Sequence, residues 1–288
     1  MRCLALRLAL AAHVVAIITI IITIVFAGYV DARCNEILVR REVRDLTRTQ
    51  WDRFVRAVNK IMTDSTPSTY DKLTSMHIKH AYEVHHSPMF LPWHRKYIKL
   101  FENELRKHDK SIAIPYWDWS VDSQHPHLSP VLSPLYYGGN GRGRHHCVPD
   151  TPFAKYRPRY VVGNDYPCIS REYNDGNKLS PFSSTEDLAR ITASSESMVW
   201  FYPRLEARPH AAVHLNLGNQ FSGPSATNDP IFFAHHAFID HLWALWQRRR
   251  PEHANDMGVL SMDAKLPAFD VPVSTVVHTE ADGLCYRY

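Results

Sequence analysis

The sequence predicts one mostly α-helical domain, a compact core of four or five helices wrapped by a long, disulfide-braced loop region. Three observations predict it. Apolar residues recur at helical spacing in several separate stretches. From Tyr116 to about Ser183 the texture changes to Pro, Gly and aromatic residues, with Cys147 and Cys168 among them. Finally, 288 residues with 45% hydrophobic content supply ample material for a core.

The first 32 residues stand apart. Arg2 and Arg7 precede 23 residues, Leu8 to Val30, without a formal charge. This reads as a secretory signal or a signal-anchor, and the small residues of "VDA" at 30–32 favour cleavage. The expected domain therefore spans 33–288 and lies outside the cell, or in the lumen if the leader is kept as a membrane anchor. The cysteines fit that compartment. Cys34, Cys147, Cys168 and Cys285 remain beyond the leader, enough for two disulfides. Position suggests Cys34 with Cys285 and Cys147 with Cys168. A formal charge of +4, with no Lys/Arg stripe interleaved with aromatics, gives no sign of nucleic-acid binding.

The helices follow in order. "TRTQWDRFVRAVNKIM" opens with Thr47 and Gln50 in capping-box register, and Trp51, Phe54, Val55, Val58 and Ile61 then recur at helical spacing. "TYDKLTSMH" is a second helix, closed by His77. A third runs from about Pro92 to Lys107, with His94, Ile98, Phe101 and Leu105 on one stripe. After the long loop region come a helix over about Arg208 to Leu217 and one starting at "NDPIFFAHH". In the latter Asp229 serves as N-cap, Pro230 takes the first helical position, and Phe232, His236, Ile239, Trp243 and Trp246 form the inner stripe. Near the end, "VSTVVH" reads as a strand.

The histidines carry the chemistry. His210 and His214 stand at i and i+4, so both can reach one metal from a single helix face. No Glu follows His210, which removes the HExxH zinc-protease reading. His236, 22 residues on, lies on the inner stripe of the next helix. His235 points elsewhere and reads as a hydrogen-bonded histidine of the core. In the N-terminal half His77, His85 and His94 form a second trio, with His80 and His86 as competitors. All-imidazole sets without thiolate or carboxylate favour copper, with zinc, iron or nickel also possible.

"HHSPMFLPWHRKYIKLFE" (85–102), "PYWDWS" (115–120), "PHAAVH" (209–214) and "NDPIFFAHHAFIDHLWALWQ" (228–247) together resemble the tyrosinase family. This family of type-3 copper proteins comprises tyrosinases, catechol oxidases and haemocyanins. The resemblance covers roughly residues 34 to 250 and looks closest to short secreted invertebrate tyrosinase-like proteins. It implies a four-helix bundle holding two copper ions, one on His77, His85 and His94, the other on His210, His214 and His236. It implies oxidation of o-diphenols to o-quinones by O₂, small phenolic or catechol substrates, and Asp240 as an anchor behind the second site. Asp118, Trp117 and Trp119 of "YWDW" read as structural.

The chain also departs from the family pattern. Glu83 stands where some members have a Cys that forms a thioether to a copper ligand, so that cross-link cannot form. Ala211 follows His210, where many phenol-hydroxylating members have an Asn. In those members the Asn, with a Glu upstream, holds a water that helps to deprotonate the phenol. Glu206 is the candidate for that Glu. The expected activity is thus a diphenol oxidase with weak or absent monophenol hydroxylation, with Leu215 at the pocket mouth. The alternatives are a haemocyanin-like O₂-binding protein or an inactive secreted matrix protein. The short stretch after the last helix leaves no room for a haemocyanin-type cap over the site.

Overall fold

Helix α1 (Arg48–Ile61) begins as the capping box dictates. The Gln50 N–H donates to the Thr47 hydroxyl, and the Thr47 N–H donates back to the Gln50 side chain. Trp51, Phe54, Val58 and Ile61 are buried along one face. The computed structural model describes residues 34–163, 166–281 and 283–288, and Glu36–Tyr288 forms one compact unit. The leader expected over residues 1–32 lies outside the described residues.

Helix α2 (Thr69–Val84) uses the same device, Ser68 and Asp71 capping each other. It continues past His77 to Val84, so His77 sits in mid-helix rather than closing it. Helix α3 (Phe90–Arg106) starts two residues before the expected Pro92. The segment from Tyr116 to Ser183 is irregular, as expected, apart from short 3₁₀ turns at Pro126–Leu128 and Pro130–Leu132. It is nevertheless pinned. The Trp51 indole donates to the Leu135 carbonyl at 2.9 Å, the Trp117 N–H donates to the Ala234 carbonyl at 3.0 Å, and Cys147 is bonded to Cys168. Cys34 and Cys285 are also disulfide-bonded.

Two helices follow that the sequence reading omitted, α4 (Thr185–Ser194) and α5 (Met198–Leu205). The first carries its own signal, a Ser184/Asp187 capping box. The helix expected over 208–217 is two pieces, a π-turn Glu206–His210 and then α6 (Ala211–Leu217). Pro209 has no N–H to give and its ring crowds the preceding turn. The chain widens there, and the Ala211 N–H reaches back five residues to the Glu206 carbonyl.

Helix α7 (Ile231–Arg249) starts one residue later than expected, with Pro230 at the cap. Asp229 still accepts the Ile231 N–H, at 3.2 Å, and its carboxylate is also held in a two-pronged pair by buried Arg171 at 2.6 and 2.9 Å. The expected inner stripe is buried, but so is nearly all of the helix, because α7 runs through the centre of the domain. Helices α1, α2, α3 and α7 form the core. Phe233 marks its centre, stacked on Phe101 with centroids 3.6 Å apart and flanked by Tyr97 and Tyr70. Burying one such side chain contributes about 1.5–3 kcal/mol.

"VSTVVH" is not a strand. Val273–Val276 is a 3₁₀ turn, and the buried residues Val273, Val276 and Val277 follow helical rather than alternating spacing. Among the described residues the only sheet is a two-stranded parallel pair, β1 (Leu38–Val39) with β2 (Tyr286–Arg287). This pair brings buried Arg40 beside the last residues of the chain. There Asp240 takes Arg95 at 2.5 Å, Arg40 at 3.5 Å, and the hydroxyls of Tyr286 and Tyr288. Glu102 takes Arg40 and Lys99 at 3.0 and 2.8 Å. Burial opposes both carboxylates, but the facing cations outweigh it and hold each pKa below its usual range. No helix among the described residues is long and apolar enough to cross a membrane.

Candidate metal centre

Seven histidines from five elements converge between α2, α3 and α7. His77 projects from the middle of α2, His85 terminates that helix, and His94 lies one turn into α3. A ring nitrogen of each lies within 4.8 Å of the others. On the other side His210 ends the π-turn, His214 lies one turn on in α6, and His235 and His236 lie in α7. These four form a second group at the same spacing. The two groups meet where His94 stacks on His236, centroids 4.2 Å apart and planes 10° from parallel. Each group could hold one metal ion.

The structure separates the histidines that cluster from those that do not. His77 is buried, whereas His80 is turned outward to Glu83 at 3.1 Å. His86 has a positive φ of 53° and joins neither group. Its N–H instead donates to Glu206 at 2.8 Å.

Hydrogen bonding fixes how most of these rings are protonated. Nδ1 of His77 faces the Pro224 carbonyl at 2.8 Å, that of His85 faces Ala81 at 2.8 Å and that of His94 faces Phe90 at 2.7 Å. Nδ1 of His210 faces Glu206 at 3.3 Å and that of His214 faces Phe221 at 2.7 Å. A carbonyl can only accept, so each of these Nδ1 atoms carries the proton and each Nε2 keeps its lone pair. This is the arrangement by which a ligating imidazole is oriented from behind. The Nε2 atoms of His77, His94 and His210 are buried with no partner among the described residues. The Nε2 of His214 faces the Nε2 of His236 at 3.4 Å.

Buried nitrogens without partners cost free energy unless something meets them, and one cation in each group would meet them. Burial is also the first cause that keeps these rings neutral. It pushes His77 down to about 3 and His214 down to about 4, and lowers His85, His94, His210 and His236 as well, with neighbouring histidines adding to it. Neutral imidazole is the ligating form. The residues present therefore fit two copper ions on nitrogen donors.

A pocket of about 410 Å³ opens onto the cluster, lined by His77, His85, His210 and His214. Its wall carries Glu206 and Ala211, and its rim carries Leu215 (61% exposed) and Tyr82 (87% exposed). Burial pushes the Glu206 carboxyl up to about 7, with the His86 N–H only partly offsetting it. Asp240 is not at the pocket. Among the described residues its side chain bonds no histidine ring, and it ties α7 to α3 through Arg95, next to His94. Sequence reasoning missed Tyr82, whose place between Ala81 and Glu83 gave no pattern. It also took Trp119 as merely structural, although its indole reaches His235 at 3.1 Å.

Comparison with known proteins gives a consistent result. Residues 67–249 match the model of the common central domain of tyrosinase. A tyrosinase-like protein, phomQ2, of Diaporthe leptostromiformis is 34% identical over 89% of this chain and 74% of its own length. A tyrosinase of Streptomyces antibioticus is 33% identical over 74% of this chain and 84% of its own length. Among solved structures, a polyphenol oxidase variant from Thermothelomyces thermophila superposes with a TM-score of 0.66 at 21% identity, over 88% of both chains. A functional unit of octopus haemocyanin gives 0.64 at 20% identity, over 87% of this chain and 68% of its own. At these identities the structural likeness concerns the fold.

Proposed function

This chain belongs to the tyrosinase family, whose cofactor is a pair of copper ions, and we propose that it is an o-diphenol oxidase. Its net reaction is the oxidation of two o-diphenols to two o-quinones with reduction of one O₂ to two waters. His77, His85 and His94 hold one copper, and His210, His214 and His236 hold the other. When bound, the metals supply the two-electron redox chemistry that couples the organic substrate to O₂. Five of the six histidines, all but His236, hold their Nε2 lone pairs ready because the carbonyls behind them occupy Nδ1.

The observation that carries the catalytic reading is the open pocket. Four of the six histidines line a space of about 410 Å³ whose rim exposes Leu215 and Tyr82. A carrier of O₂ alone has no use for an open, largely apolar approach to its metals, whereas an enzyme for phenols does. The apolar wall excludes water from the ring and leaves Glu206 as its one carboxyl group. Ala211 lines the same pocket and offers no amide, so Glu206 lacks a partner with which to order a water beside the substrate hydroxyl. Monophenol hydroxylation is accordingly weak.

We place the working domain at residues 33–288, exported from the cytosol, a placement that the Cys147–Cys168 disulfide supports. The test is quinone formation by the copper-loaded chain from a simple catechol and from the matching monophenol. Rapid turnover of the catechol with at most slow turnover of the monophenol is expected. No turnover of either by a fully loaded chain would return the site to O₂ carriage.

A further inference from the structure

The second histidine group contains four imidazoles, one more than a three-coordinate copper uses. His235 and His236 are adjacent in sequence, both fully buried, and each has a ring nitrogen within reach of the same point. What separates them is a single hydrogen bond. The Trp119 indole, from the loop region, lies 3.1 Å from Nδ1 of His235, and both groups are buried. Indole N–H is a donor only. Nδ1 of His235 must therefore accept, and the proton of the ring sits on Nε2. The five histidines backed by carbonyls have the opposite arrangement. An N–H cannot bind a metal, so the same ring that lies near enough to ligate presents the wrong face.

We infer that Trp119 withholds His235 from the second copper, which leaves three imidazoles there and an open position on the metal. His235 then serves as packing, stacked 5.3 Å from His210 with planes 21° apart and set edge-on to His214 at 5.0 Å. Its Nε2–H is buried without a partner among the described residues. The cost of that orphan is offset on the other side of the ring, where the Trp119 bond satisfies an indole that burial would otherwise leave unpaired. The lock works only in this direction. If Nδ1 of His235 faced a carbonyl, as in its neighbours, a fourth Nε2 would compete for the ion and close the open position.

This inference rests on the reading of the cluster as a copper site, but its first test does not need copper. A long-range ¹H–¹⁵N spectrum of the metal-free chain distinguishes protonated from bare ring nitrogens. His235 is expected with Nε2 protonated, and His77, His85, His94, His210 and His214 with Nδ1 protonated. A His235 ring protonated on Nδ1 would overturn the proposal. The second test counts copper. His236→Ala is expected to drop the chain from two coppers to one, because His235 cannot stand in. Adding Trp119→Phe to that variant frees the His235 ring to turn its lone pair inward, and the second copper should return at least tenfold more tightly than in His236→Ala. Full retention of two coppers by His236→Ala, or no recovery in the double variant, would count against the lock. A wild-type chain that took up no copper would instead defeat the functional reading while leaving the tautomer result intact.

Discussion

Asp240→Asn tests whether the metal-binding helices are held in register by the buried ion pair behind them. Asp240 lies one turn beyond His236 on α7, and its partner Arg95 is next to His94 on α3. The carboxylate meets Arg95 at 2.5 Å, Arg40 at 3.5 Å and the Tyr288 hydroxyl at 2.6 Å, with side chains on both sides of each ion pair almost wholly buried. Arg40 keeps Glu102 when Asp240 is neutralised, but Arg95 keeps no anion, just Gln247, the carbonyls of Val276 and Val277 and the face of the Trp243 ring. Removing one partner of a buried pair costs about 3–5 kcal/mol. For a domain of this size that corresponds to a fall in Tm of roughly 6–20 °C. The assay is differential scanning calorimetry of the copper-free chain, so that bound metal does not mask the loss. Chelator competition on the loaded chain should show faster copper release, because the His94–His236 stack depends on the same two helices. A Tm within about 2 °C of wild type at pH 7 would refute the reasoning.

Four further outcomes are expected. The stability gap between wild type and Asp240→Asn should depend on pH: the carboxyl pKa is lowered on folding, so its contribution is complete above about pH 4 and is lost as pH falls through the folded value. A gap that stayed constant down to pH 3 would exclude this linkage. His94→Ala should lower bound copper and abolish catechol oxidation, with copper assay and O₂ uptake read on one sample. Ala211→Asn should raise the ratio of monophenol to diphenol turnover by about tenfold or more if an amide beside Glu206 completes a base, and an unchanged ratio would count against that role. Leu215→Ser should raise KM for an alkylated catechol by roughly fivefold with kcat unchanged, as loss of about 1 kcal/mol of apolar contact predicts.

The parts of this fold that sequence makes legible are those fixed by local chemistry. The α1 cap at Thr47 and Gln50 and the α7 start at Asp229 and Pro230 were readable because capping and proline geometry act within a few residues. The first trio was less so. Spacing left His77 and His80 as rivals, and only packing against α3 and α7 turned the first inward. The π-turn at 206–210 was hidden because its cause, Pro209, could as well have ended a helix as widened it. "VSTVVH" misled because β-branched residues favour strands, yet among the described residues no neighbouring strand pairs with it and the core took Val273, Val276 and Val277 instead. Trp119 and Tyr286 escaped for a different reason. Their partners, His235 and Asp240, lie 116 and 46 residues away, and no local pattern encodes such a contact.

The most direct test of the account is O₂ uptake by the copper-loaded chain given a simple catechol, with copper determined on the same sample. Two coppers per chain and one O₂ consumed for every two catechols oxidised are predicted. A chain that binds no copper, or that consumes O₂ equally well when His94 and His214 are both replaced by Ala, would contradict it.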